Sequence, residues 1–188
     1  MTKQSTLNII TNAGRNLGLH YIHAAHKAAK LLGFGYVPVE DAPDNMDKLA
    51  VAFVNAKRTG VFPVWEGGSA KTVYGSKEAN WAFRYLHDIA HIQSGLGMTT
   101  LEEVELAVQE SAKIAKAMGE GSAEQTVFLI DTACQSIYEQ QQGEFPDNQL
   151  AFAVLVWEEL ESLGKLESPA VVDLVKAVSR VIAKQGAL

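Results

Sequence analysis

Asn80-Trp81-Ala82-Phe83-Arg84-Tyr85-Leu86-His87-Asp88-Ile89-Ala90-His91 is the stretch around which the chain is organised. At 100° per residue, Phe83, Leu86, Ile89 and Ala90 share an apolar side. Asn80, Arg84, His87 and His91 stack along the other side at spacings of four, three and four, with Asp88 at its edge. The stripe holds no Lys or Glu, the usual residues of a solvated helix face. It holds two imidazoles and a guanidinium instead, so this helix carries more chemistry than any other part of the chain.

Working outward, Ser76 starts this helix and Ser94-Gly95-Leu96-Gly97 ends it. Upstream, residues 5–32 repeat apolar positions at three and four and read as a long helix. Residues 36–41 read as an extended connector broken by Pro38. Pro43-Asp44-Asn45 starts a helix over 47–57, closed by Gly60. Residues 61–65 are the best strand, though Pro63 demotes it to an edge, and residues 71–74 are placed to return as its hairpin partner. Downstream, Thr99 with Glu102, or Thr100 with Glu103, makes a capping box. Residues 122–140 form a further helix, residues 150–157 are apolar all round, and Ser168-Pro169 starts the last helix. The expected fold is mostly α: a single helical domain over 1–188 of about seven helices, with one small β-hairpin near 61–74.

Composition narrows the function. The 188 residues are 47% hydrophobic and 20% charged, a globular composition. Sixteen basic against 22 acidic residues leave a formal net charge of −6, which argues against non-specific binding to nucleic acid. The lone Cys134 excludes an internal disulfide and any zinc site built mainly from thiolates, and it is expected to be buried and inert. No secretory signal and no run of roughly 20 apolar residues is visible, so a cytoplasmic protein with no membrane partner is expected. His20, His23 and His26 drift across about 120° of their helix and read as solvent-facing, only His20 bordering the apolar stripe. Trp65, Tyr74 and Trp81 read as packing residues, because no basic residues interleave them as in a base-stacking platform.

Two readings of the central stripe stand side by side. In the first, His87 and His91, one turn apart, converge on one divalent ion. The third ligand comes from beyond the glycine turn: Glu103 is preferred over Glu102, Glu105 and Asp131, because it lies at the margin of the next helix's apolar stripe, one turn before Ala107. Asp88 orients an imidazole or bridges a second ion, and Arg84 holds an anionic substrate group or developing charge. Zinc suits two nitrogens and one oxygen; manganese or iron fits better if Asp88, Glu124 or Asp131 joins. The activity implied is hydrolysis of a small phosphoester or nucleotide. In the second reading the histidines form a buried polar network and the chain is a helical interaction or structural protein without catalysis.

The pattern departs from His-Glu-x-x-His, since Asp88 stands where that motif has Glu. The His87-Asp88 pair is similar to the metal phosphohydrolases named for that dipeptide. Those need an earlier metal histidine, here only His20, His23 or His26, and a later acid, for which Asp131 is available. Phe83, Arg84, His87, Asp88, His91, Gly95 and Glu103, with the later segment 143–149, resemble a family of small uncharacterised proteins of tailed bacteriophages and some bacteria. The resemblance covers residues 61–152. It implies a helical protein with a metal centre, a phage origin, host cytoplasm as location and a host protein as an alternative partner. It implies no particular reaction.

Overall fold

The computed structural model of the chain describes residues 2–185. In order these form α1 (Lys3–Leu32), β1 (Gly35–Val39), α2 (Met46–Thr59), β2 (Val61–Trp65), a 3-10 turn (Ser69–Lys71), α3 (Lys77–Ser94), α4 (Thr100–Met118), α5 (Ala123–Leu129), a π-helical turn (Ile130–Cys134), α6 (Gln135–Gln142), α7 (Gln149–Ser162) and α8 (Val171–Gln185). The mostly α expectation holds. The backbone stays right-handed helical from α5 through the π turn into α6, so these three make the single helix expected there, with one wide turn inserted.

Most helix starts are the ones the caps predict. Asn45, Ser76, Thr99, Ser122 and Asn148 each accept a hydrogen bond from the backbone N–H three residues on, a bond worth about 1 kcal/mol per helix. The last helix is different. Asp173 accepts from the Ala170 N–H at 3.1 Å, and the ladder begins at Ala170 O, so Pro169 sits outside the helix rather than at its first position.

The chain packs as two compact units, one of Arg15–Met98 and one of the described residues before and after it. In the first, the hairpin expected near 61–74 is replaced by a parallel pair. β2 pairs with β1, Gly35 opposite Val61 through Val39 opposite Trp65, and α2 supplies the crossover that parallel strands require. Residues 71–74 do not return as a strand. Thr72 and Ser69 bond Asn80 of α3 instead, which draws the chain into the 3-10 turn. Phe62 and Val64 point into the core, where the Phe62, Phe34, Tyr36 and Tyr85 rings meet. Tyr85 donates to Phe34 O at 2.9 Å, and burial, then the neighbouring Tyr36, push its phenol up to about 12. Gly18 of α1 lies where an added Cβ would stand 2.4 Å from Tyr74 O, so the missing side chain lets this backbone approach.

In the other unit α4 packs on α5, and α7 on α8. Phe128, Ile130, Cys134, Leu160, Leu174 and Val178 are buried. α7 is not buried all round: Phe152, Ala153, Val156, Trp157 and Leu160 are, while Ala151 is exposed. Glu159 on the same helix is buried and paired with Arg180 and Lys184, which satisfies a carboxylate that would otherwise be costly to desolvate.

Both edges of the small sheet are blunted. The Gly35 N–H donates to Gly60 O at 3.0 Å and the Glu66 N–H to Val39 O at 2.9 Å. Odd residues of β1 and even residues of β2 therefore turn their peptides toward each other, and the alternate ones turn theirs outward. Pro38 and Pro63 both occupy outward positions, so each free edge lacks a donor at its middle. Replacing both by Val is expected to raise concentration-dependent self-association above that of the wild type in sedimentation velocity, with helicity retained; equal association in the two proteins would contradict the edge role.

Candidate metal centre

No residue of α3 from Ala79 to Ile92 is exposed, which explains the missing Lys and Glu. The buried members of the polar stripe, Asn80 and His91, must be satisfied by protein groups, and the half-buried Arg84 and His87 also find protein partners. Asn80, 2% exposed, donates to Ser69 Oγ at 2.9 Å and accepts from Thr72 Oγ1 at 3.2 Å. Ser69 Oγ donates on to Glu66 O. One turn later, Arg84 Nη1 donates to Trp65 O and to Gly67 O, the latter at 2.7 Å, and the guanidinium lies over the Trp65 ring at 4.5 Å. Arg84 thereby fastens the turn after β2 to α3. The bonds this structure gives Arg84 Nη1 are to these backbone carbonyls, a fastening task that the sequence did not signal.

The next two members are the histidines. Phe83 stacks on the His87 ring, and His87 meets His91 edge to face at 4.7 Å between centroids. The His91 and His87 Nε2 atoms are 3.2 Å apart, and His91 Nδ1 lies 3.0 Å from Leu96 O. A carbonyl only accepts, so His91 Nδ1 carries a proton. In the neutral ring Nε2 is then the bare nitrogen, aimed at His87. Two nitrogens each 2.0–2.1 Å from a tetrahedral ion stand about 3.3 Å apart, close to the separation found. His91 is 1% exposed, and His87 is half-buried.

Of the two candidate capping boxes, Thr99 with Glu102 is the one formed. Glu102 Oε2 accepts from Thr99 Oγ1 at 2.6 Å and from the Thr99 N–H at 3.3 Å, which commits that carboxylate to the cap. Glu105 is exposed and accepts from Gln109. Glu103 is half-buried one turn before the fully buried Ala107. His87, His91 and Glu103 each offer one ligand atom, and these atoms lie within 4.8 Å of one another. Among the described residues this is the one such group of His, Cys, Asp and Glu; Asp88, Glu124 and Asp131 stand outside it.

The remaining candidates lie outside this group. Asp131 lies in the π turn, 8% exposed, and accepts from Gln135 at 2.6 Å. His23 and His26 are exposed, and half-buried His20 packs edge-on to Tyr21. Desolvation, then the charge of His23, lowers the His20 pKa. Cys134 is fully buried, which pushes its thiol well up from the usual range. Sequence reasoning did not see the Leu96 carbonyl or the Asn80–Ser69–Thr72 cluster. The first is a backbone atom whose only signal is the glycine beside it; the second joins residues eight and eleven apart. No family model, curated protein or solved structure matches the chain.

Two outcomes are expected. Arg84→Lys keeps the charge but loses the planar fork and the stacking on Trp65, and should cost about 1–2 kcal/mol in urea unfolding; an unchanged midpoint would contradict the fastening role. Cys134 should resist iodoacetamide at pH 8 in the folded protein and react readily in denaturant, as a protonated buried thiol must.

Proposed function

We propose that the protein binds one divalent ion, zinc first, through His87, His91 and Glu103, and that the bound ion serves hydrolysis. The observation that carries this reading is the 3.2 Å separation of the two Nε2 atoms, with His91 Nδ1 turned away onto Leu96 O. That is the arrangement of a histidine ligand whose other nitrogen is held by an outer hydrogen bond. With two nitrogens and one carboxylate oxygen, zinc is preferred over manganese or iron, which favour more oxygens than this group holds. Three protein ligands leave a fourth position for water, the pattern of catalytic rather than structural zinc sites. Bound there, an ion would lower the pKa of such a water so that it gives up a proton and can attack a phosphate or amide centre as hydroxide.

Asp88, next to His87, is proposed as a supporting acid rather than a ligand. A small phosphoester or nucleotide is the proposed substrate, because Arg84 lies on the same stripe as the histidines, and the net charge of −6 disfavours long polyanions but not small ones. The likeness to the tailed-phage family adds a metal centre and a host-cell setting to the same reading.

A second reading is favoured by the same distance. A proton shared between the two Nε2 atoms satisfies His91 with no ion, and the chain is then a helical interaction protein whose partner, a host protein on the phage reading, binds elsewhere. Elemental analysis and zinc titration of untagged protein separate the two. The metal reading predicts close to one equivalent of zinc. At a free concentration 100 times Kd it also predicts a stabilisation of about 2.7 kcal/mol, or about 5–10 °C in Tm for a chain of this size. His91→Ala and Glu103→Gln should each lose most of it. Less than about a tenth of an equivalent, with no thermal shift on adding zinc, would leave only the polar network.

A further inference from the structure

The turn that closes α3 does more than end a helix. Gly95 is left-handed at φ 73°, and its N–H donates to His91 O at 2.9 Å. Ser94 Oγ donates to the same carbonyl at 3.3 Å and accepts the Leu96 N–H at 3.2 Å. Leu96 O, on the other side of that residue, receives His91 Nδ1. His91 is therefore gripped at two points by the five residues that follow it, at its backbone carbonyl and at its ring. The Leu96 carbonyl can reach the ring only because the chain reverses at a left-handed residue.

We propose that Ser94, Gly95 and Leu96 are positioning residues that fix the tautomer of His91, keeping Nδ1 protonated and Nε2 bare and aimed at His87. This rests on the metal reading for its purpose but not for its test, because the tautomer exists in the metal-free protein. Any residue with a Cβ resists φ 73°, whereas Asn tolerates it better than most. A Cβ at Gly95 meets nothing within 4 Å, so Gly95→Ala strains the turn without a clash. Gly95→Asn should spare it.

The experiment is 15N-detected histidine NMR of the metal-free protein at a pH where its imidazoles are neutral, followed by zinc titration of the same samples. In wild type and Gly95→Asn, His91 should show a pyrrole-like Nδ1 and a pyridine-like Nε2. In Gly95→Ala the two signals should move toward the average of exchanging tautomers, and zinc affinity should fall by about ten-fold or more, the loss typical of disturbing an outer partner of a metal ligand. Ser94→Ala should act in the same direction. A wild-type His91 with a protonated Nε2, or signals identical in Gly95→Ala, would overturn the proposal. If the tautomer follows the turn as stated while no variant binds zinc, the positioning role stands and the metal reading fails; the two failures are distinct.

Discussion

The structure depends on a polar stripe that is partly withdrawn from water, fully so at Asn80 and His91. α3 exposes none of its residues between Ala79 and Ile92, yet one side of it carries Asn80, Arg84, His87 and His91. An unsatisfied buried polar group costs about 1–3 kcal/mol, more if charged. The surrounding chain therefore takes the shapes that supply partners: the 3-10 turn is drawn onto Asn80, the turn after β2 onto Arg84, and the turn after α3 onto His91. The connection that leads into α3 and the turn that leaves it have little regular structure of their own, and both are ordered by this one helix.

The same constraint separates scaffold from site along the stripe. Asn80 and Arg84 bond side chains and carbonyls of the loop after β2 and hold it in place. At His87 and His91 the character changes. Their facing atoms are both nitrogens of the same kind, each able to accept when its ring is neutral and suitably protonated. A proton or a metal ion must stand between two such atoms, and the spacing admits either. The orientation of His91, set by a backbone carbonyl, is what makes the ion the more economical reading: the ligand atom is presented before the ion arrives, and little entropy remains to be lost on binding.

Much of this was legible in the sequence, and the exceptions have physical causes. Asn45, Ser76 and Asn148 announce their helices because a cap is a local bond between a residue type and the next turn. The stripe itself was legible because helical periodicity needs no tertiary information. The parallel β1–β2 pair was not. Residues 35–39 are short and contain Pro38, and their partner lies beyond a whole helix, so nothing within the segment signals pairing. Residues 71–74 suited a hairpin by composition, but the outcome was decided by Asn80, which binds Thr72 and Ser69. The capping box after α3 was ambiguous between two Thr–Glu pairs. Its resolution in favour of Thr99 and Glu102 takes Glu102 out of the running as a ligand.

The proposed site stands or falls with whether His87 and His91 close on one ion. X-ray absorption at the zinc edge of the protein loaded with one equivalent of zinc tests it most directly. Expected is a first shell of nitrogen and oxygen at about 2.0–2.1 Å, with outer-shell scattering from two imidazoles that drops to one in His87→Ala. A shell of oxygens alone, or imidazole scattering unchanged in His87→Ala, would contradict it.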